Sequence, residues 1–112
     1  MDKMLLVSKN LPQIGCRLDY YIIQDDYSEV VGIISSKVFG IEVQKICRDE
    51  LDVEYIQKRT IYDLSCDKKR VEEFIHLLSE NDVTPVTLFD IVTDKLDEGY
   101  FENIYYLIDQ PA

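Results

Sequence analysis

The hydrophobic period of this chain changes once, near residue 65, and that change restricts the fold more than any other feature. Before it, apolar residues come in short runs rich in aromatic and β-branched side chains, as strands do. After it, they recur at helical spacing. No Ser-, Gly- or Pro-rich linker separates the halves, and no internal repeat or low-complexity stretch interrupts them. Strands first and helices second, in 112 residues, imply one α+β domain over 1–112. Apolar residues make up 46 % of the chain, enough for a core at this length.

The first half reads as a succession of strands between about residues 3 and 60. Lys3 to Ser8 is short, and Asn10-Leu11-Pro12 and Gly15 break it. Arg17 to Ile23 follows, with turn chemistry at Asp25-Asp26 and Ser28. Val30 to Ile34 reads as a further strand, in which Gly32 marks a bulge or a close backbone approach. Val38 to Ile46 has a register that alternation leaves open, because the Lys45 stem interrupts it. Arg48-Asp49-Glu50 supplies a turn, and Val53 to Thr60 returns. Short links allow only antiparallel neighbours, so a meander of about four strands is expected.

The second half carries two helices. Val71, Phe74, Ile75 and Leu78 fall on one face of a helix over about 67–80, capped by Ser65 or Asp67. Asn81-Asp82 ends it. Thr84 and Pro85 then form the clearest start signal in the chain, since proline at the first helical position forfeits no hydrogen bond. Leu88, Ile91 and Val92, with Leu96 beside them, form the stripe of a helix over about 85–98, and Gly99 stops it. Phe101, Ile104, Tyr105 and Ile108 repeat the period over about 100–109. That tail reads as a short third helix, with a strand as the alternative.

Several of these segments resemble a known family. Val71-Glu72-Glu73-Phe74-Ile75-His76-Leu77-Leu78 followed by Val83-Thr84-Pro85-Val86-Thr87-Leu88-Phe89-Asp90-Ile91-Val92-Thr93-Asp94 is similar to the domain of unknown function numbered 6514, found in short bacterial proteins. Tyr20-Tyr21-Ile22-Ile23 and Phe39-Gly40-Ile41-Glu42-Val43 resemble its strand motifs. The likeness covers roughly residues 17 to 97. It implies an α+β fold and no catalytic residue to carry over.

Charge narrows the partners. Asp and Glu number 22 against 12 Lys and Arg, a net charge of -10. Phosphate backbones and anionic membranes repel such a surface, so neither direct nucleic-acid binding nor membrane association is expected. A basic protein surface would attract it. No segment reaches the roughly 18 apolar residues of a membrane span, and the N-terminal apolar run is too short for a signal peptide. Cys16, Cys47 and Cys66 are odd in number and lack a C-x-x-C pair. The expectation is therefore free thiols in a reducing cytoplasm.

Candidate chemistry is sparse. His76 is the sole histidine, and neither Cys47 nor Cys66 lies in the sequence context of a Cys-His nucleophile. Zinc-ligand spacing is absent. Asp90, Asp94 and Asp97 share a helix face that could hold Mg²⁺ or Ca²⁺, although a solvated outer face explains them as well. Asp49 to Glu54 is an acidic run without the glycine and ligand order of a calcium loop. No P-loop, dinucleotide-binding or nucleophile-elbow motif occurs. The expectation is no catalytic residue, no metal and no cofactor.

Eight tyrosines are more than a core of this size absorbs. Adjacent Tyr20 and Tyr21 must face opposite sides of a strand, and Tyr105 and Tyr106 diverge around a helix. Tyr20, Tyr21, Tyr100, Tyr105 and Tyr106, with Asp90, Asp94 and Asp97, are the candidate protein-binding residues. The function expected is a small acidic, non-enzymatic, regulatory protein-binding module. Two alternatives stand beside it: a nucleic-acid mimic that inhibits a nuclease or other nucleic-acid-binding protein, and a small metal-dependent hydrolase. The aromatic tail from Tyr100 onward is expected either to fold back over its own sheet and complete the core, or to dock on a second chain as the contact of a homodimer.

Overall fold

A computed structural model describes residues 1–27 and 36–101. The expected α+β architecture forms. Strand β1 (Asp2–Leu11) leads through a single 3₁₀ turn (Pro12–Ile14) to β2 (Cys16–Tyr27). Then come β3 (Ser36–Arg48), β4 (Glu54–Ser65), α1 (Lys68–Glu80) and α2 (Pro85–Asp97). The four strands form one antiparallel meander in the order β1-β2-β3-β4. The expected strand over Val30 to Ile34, with Gly32, lies outside the described residues, as does the tail beyond Phe101.

The strands run longer than their apolar stretches. Asn10, Asp25 and Asp26 stay in the ladder because paired backbone groups hold polar positions that propensity alone would release. Two irregularities bend the sheet. One lies in β1 between Leu5 and Val7. In the other, Phe39 pairs with Ser65 but Ile41 with Ile61, so β4 carries extra residues opposite Gly40. A Cβ at Gly40 would lie 2.3 Å from the Ile61 carbonyl oxygen, so only glycine permits this approach.

One face of the sheet carries Leu18, Tyr20 and Ile22 from β2 and Phe39, Ile41 and Val43 from β3. Against it pack Val71, Phe74, Ile75 and Leu78 of α1 and Leu88 and Val92 of α2, all buried. The helix periods read from the sequence thus meet the core. Asp67 caps α1 by accepting the Arg70 N–H at 3.2 Å. At its far end Asp82 takes a left-handed conformation, φ 52°. Asp82 N–H then donates to the Ser79 carbonyl at 3.2 Å and Val83 N–H to that of Leu78 at 3.1 Å, which closes the helix. Gly99, φ 76°, does the same for α2, with bonds from Gly99 N–H to Leu96 and Tyr100 N–H to Lys95. Thr84 occupies the cap position of α2 without a side-chain cap bond.

Helix length limits coverage. Thirteen residues of helix reach about 20 Å, whereas strands of 12 or 13 residues reach about 40 Å. The helices therefore cannot cover the sheet to its end. On β4, every residue from Glu54 to Arg59 is exposed.

Candidate interaction surface

Both tight connections of the meander lie at one end of the sheet, because β1 to β2 and β3 to β4 turn in the same direction. The bond from Arg48 N–H to the Gly15 carbonyl, 3.2 Å, ties them together. Beside it, Cys16 stands opposite Cys47, and the two are joined in a disulfide. Their Cα atoms are 4.1 Å apart, the close spacing of a non-hydrogen-bonded antiparallel pair. This corrects the expectation of free thiols. The pairing depends on the β2–β3 register across a separation of 31 residues, which local sequence does not display. Cys66 alone stays free, and it is exposed.

Large apolar side chains collect at this end without burial. Ile14 is 58 % exposed, Leu51 83 %, Tyr55 55 % and Ile56 58 %, and Val53 is exposed among them. The β3–β4 connection that presents Leu51 is ordered by one carboxylate. Asp49 Oδ1 accepts the N–H groups of Leu51 and Val53, both at 2.9 Å, and Oδ2 accepts the Tyr55 hydroxyl at 2.8 Å. The Val53 backbone bond, then the Tyr55 hydroxyl, hold the Asp49 carboxyl below the usual carboxylate range. Arg48 adds bonds to Asp52 at 3.0 Å and Glu54 at 3.2 Å. A shallow cleft of about 490 Å³ between Pro12, Gly15, Arg17 and Arg48 completes the surface.

The sheet face opposite the helices carries two buried carboxylates. Asp19 accepts from Ser8 Oγ at 2.6 Å and Arg17 Nε at 3.1 Å. Glu42 accepts from Lys3 Nζ at 2.9 Å, Gln44 Nε2 at 2.6 Å and Thr60 Oγ1 at 2.9 Å. Burial pushes the Glu42 carboxyl up, but the bonds from Gln44, Lys3 and Thr60 outweigh it and hold the carboxyl below its ordinary range. A carboxylate so held is a poor proton donor and a weakened base. Its chemistry is to tie β1, β3 and β4 together across the face.

The residues expected from the sequence divide. Tyr20 is fully buried, and its hydroxyl donates to the Val83 carbonyl at 2.8 Å, so it belongs to the core and not to a contact surface. Tyr21, its neighbour, faces the other way as expected. It is half-buried under Lys3 Nζ, 4.9 Å from the ring centre. Tyr100 is half-buried against Phe74 and Phe101, with ring centres at 5.6 and 4.8 Å. The Arg70 guanidinium lies over its outer face at 5.3 Å. Tyr105 and Tyr106 lie outside the described residues. Asp90, Asp94 and Asp97 are exposed along α2, and among the described residues no group of three or more metal-ligating side chains comes together. His76 is exposed near the far end of α1. Cys66 precedes that helix, and the intervening turns set them roughly 13 Å apart along its axis.

Leu51, Val53 and Ile14 were not singled out by sequence reasoning. The available signal was two apolar residues interleaved in the acidic run Asp49-Glu50-Leu51-Asp52-Val53-Glu54, too short to form a core element of their own.

No described helix is long and apolar enough to cross a membrane. A family model, that of a family of unknown function (DUF6514), matches residues 4–98. No curated protein and no solved structure matches the chain.

Proposed function

The chain belongs to this family of unknown function, DUF6514, and from that premise we propose that it is a non-enzymatic, regulatory protein-binding module that docks through the turn end of its sheet. The observation that carries this reading is Leu51, 83 % exposed at the tip of a connection ordered by Asp49. Ordering the loop before contact removes an entropic cost of binding. Ile14, Val53 and Tyr55 are exposed at the same end of the sheet, and large apolar side chains so placed on an otherwise charged protein favour a contact there. Asp49, Glu50, Asp52 and Glu54 surround it, with Arg48 offsetting two of them. The partner that fits has an apolar pocket with a basic rim. A net charge of -10 speeds its approach. A cytoplasmic setting goes with this reading, although the Cys16–Cys47 disulfide is of a kind uncommon in that compartment.

The nucleic-acid-mimic alternative has less support. It needs extended ranks of free carboxylates; Asp90, Asp94 and Asp97 supply one short row on α2, but Asp52 and Glu54 face Arg48, and Asp19 and Glu42 are buried.

The test compares wild type with Leu51→Ser and Ile14→Ser as bait in extracts of the native cell. A stoichiometric partner should be retained by wild type and lost by both variants at unchanged melting temperature. Its association should slow as NaCl rises from about 50 to about 500 mM. Equal retention by the variants would sink the proposal.

A further inference from the structure

Among the described residues no strand pairs with the outer edge of β4. Two backbone bonds set the phase of its ladder. Asp49 N–H donates to the Val53 carbonyl at 3.0 Å, and antiparallel pairs alternate between bonded and non-bonded. Counting from that bonded pair, Arg48 and Glu54 are non-bonded, Cys47 and Tyr55 bonded, and Ile46 and Ile56 non-bonded. Gln44 and Lys58 are again non-bonded. The Arg48 N–H to Gly15 carbonyl bond gives the same phase from the β2 side, because it makes Cys16 and Cys47 a non-bonded pair. The N–H and C=O groups of Glu54, Ile56 and Lys58 therefore point away from β3, along an edge where all residues from Glu54 to Arg59 are exposed.

We propose that a second copy of this chain occupies that edge, antiparallel, with Ile56 on the two-fold axis. In this register Ile56 bonds Ile56 of its mate, and Glu54 bonds Lys58 of its mate on each side, so the outward backbone groups of all three residues are satisfied. Glu54, Ile56 and Lys58 share one sheet face. Each Glu54 carboxylate, which keeps its 3.2 Å bond from Arg48, thus also lies across from a Lys58 ammonium, on both sides of an apolar Ile56–Ile56 pair, the arrangement favoured between neighbouring strands. On the other face Val53 comes opposite Arg59 of its mate. That guanidinium lies 5.2 Å from the Phe89 ring, and Phe89 is itself 52 % exposed. The net charge of -10 works against any dimer. Yet this segment holds Lys58 and Arg59 against Glu54, so the repelling carboxylates lie elsewhere. The opposite edge is poorly suited: β1 is irregular between Leu5 and Val7, and its Lys9 is engaged with the Ser79 carbonyl at 3.1 Å beside α1.

This assembly shares Val53, Glu54 and Tyr55 with the turn-end surface but needs no partner, so it is tested on the purified protein alone. Sedimentation equilibrium from about 10 to about 500 µM should show a monomer–dimer equilibrium, the range expected of a small interface. Glu54→Lys and Lys58→Glu should each weaken it by at least about tenfold, since each sets like charges across the axis. The double variant Glu54→Lys, Lys58→Glu should restore it to within about threefold. Ile56→Pro should give a monomer of wild-type fold, because the N–H it removes points outward. As a readout free of variants, amide exchange at Ile56 and Lys58 should slow with protein concentration. Monomeric wild type at the upper concentration overturns the proposal. So does a dimer indifferent to Ile56→Pro, or one that the double charge swap fails to restore.

Discussion

The Tyr20 hydroxyl donates to the Val83 carbonyl at 2.8 Å, joining the middle of the sheet to the connection between α1 and α2. Both residues are buried. Tyr20→Phe leaves that carbonyl without a partner and should cost about 1–2 kcal/mol, read as a lower midpoint in urea at unchanged slope. Burial, with Asp82 contributing, raises the Tyr20 phenol above its ordinary value of 10.0. The neutral form therefore belongs to the folded state. The stability it contributes is present below pH about 10 and is lost as pH rises toward the folded value. Tyr20→Phe should flatten the alkaline fall in stability, and an unchanged alkaline slope would contradict this assignment.

Glu42 makes the opposite case. Its carboxyl is held low by Gln44, Lys3 and Thr60 against the cost of burial. Its contribution is present above the unfolded value, about 4.3, and is lost as pH falls through the folded one. Glu42→Gln should be destabilising at pH 7 and nearly neutral at the acid end of the folding range. Chemical denaturation at the two pH values measures the difference.

Gly40→Ala should destabilise by about 1–3 kcal/mol. The added Cβ would meet the Ile61 carbonyl oxygen at 2.3 Å, and that obstacle is backbone. Alanine at Gly99 is also unfavourable, because φ is 76° there, but nothing lies within 4 Å to clash with it. Thermal melts of the two variants separate steric from conformational cost.

The Cys16–Cys47 bond closes a loop across a separation of 31 residues. Constraining the unfolded chain over that span is worth roughly 3–4 kcal/mol in the loop-entropy picture. Adding a reductant should lower the midpoint of unfolding accordingly, whereas a Cys16→Ser, Cys47→Ser variant should be insensitive to it.

Asp90, Asp94 and Asp97 lie along one exposed face of α2, with no second segment among the described residues to complete a cation site. Melting temperature should stay within about 1 °C on adding millimolar Mg²⁺ or Ca²⁺, because only a bound ion stabilises by mass action. A shift removed by Asp94→Asn would revive the metal-dependent alternative.

Sequence by itself determined whatever rests on neighbours within a few residues. The apolar period placed Val71, Phe74, Ile75 and Leu78 on the core face of α1. Thr84-Pro85 marked the start of α2, Gly99 its end, and short links made the strands a meander. Tertiary structure decided whatever depends on register between distant segments. It chose Tyr20 over Tyr21 for the interior, set Cys16 against Cys47, and brought Gly40 onto the Ile61 carbonyl. It also gathered Ile14 with Leu51 at one end and turned the backbone of Glu54, Ile56 and Lys58 outward. A one-residue slip in pairing would reverse the side-chain faces and the backbone phase while leaving the local pattern unchanged, because side chains and hydrogen-bonding groups alternate with a period of two.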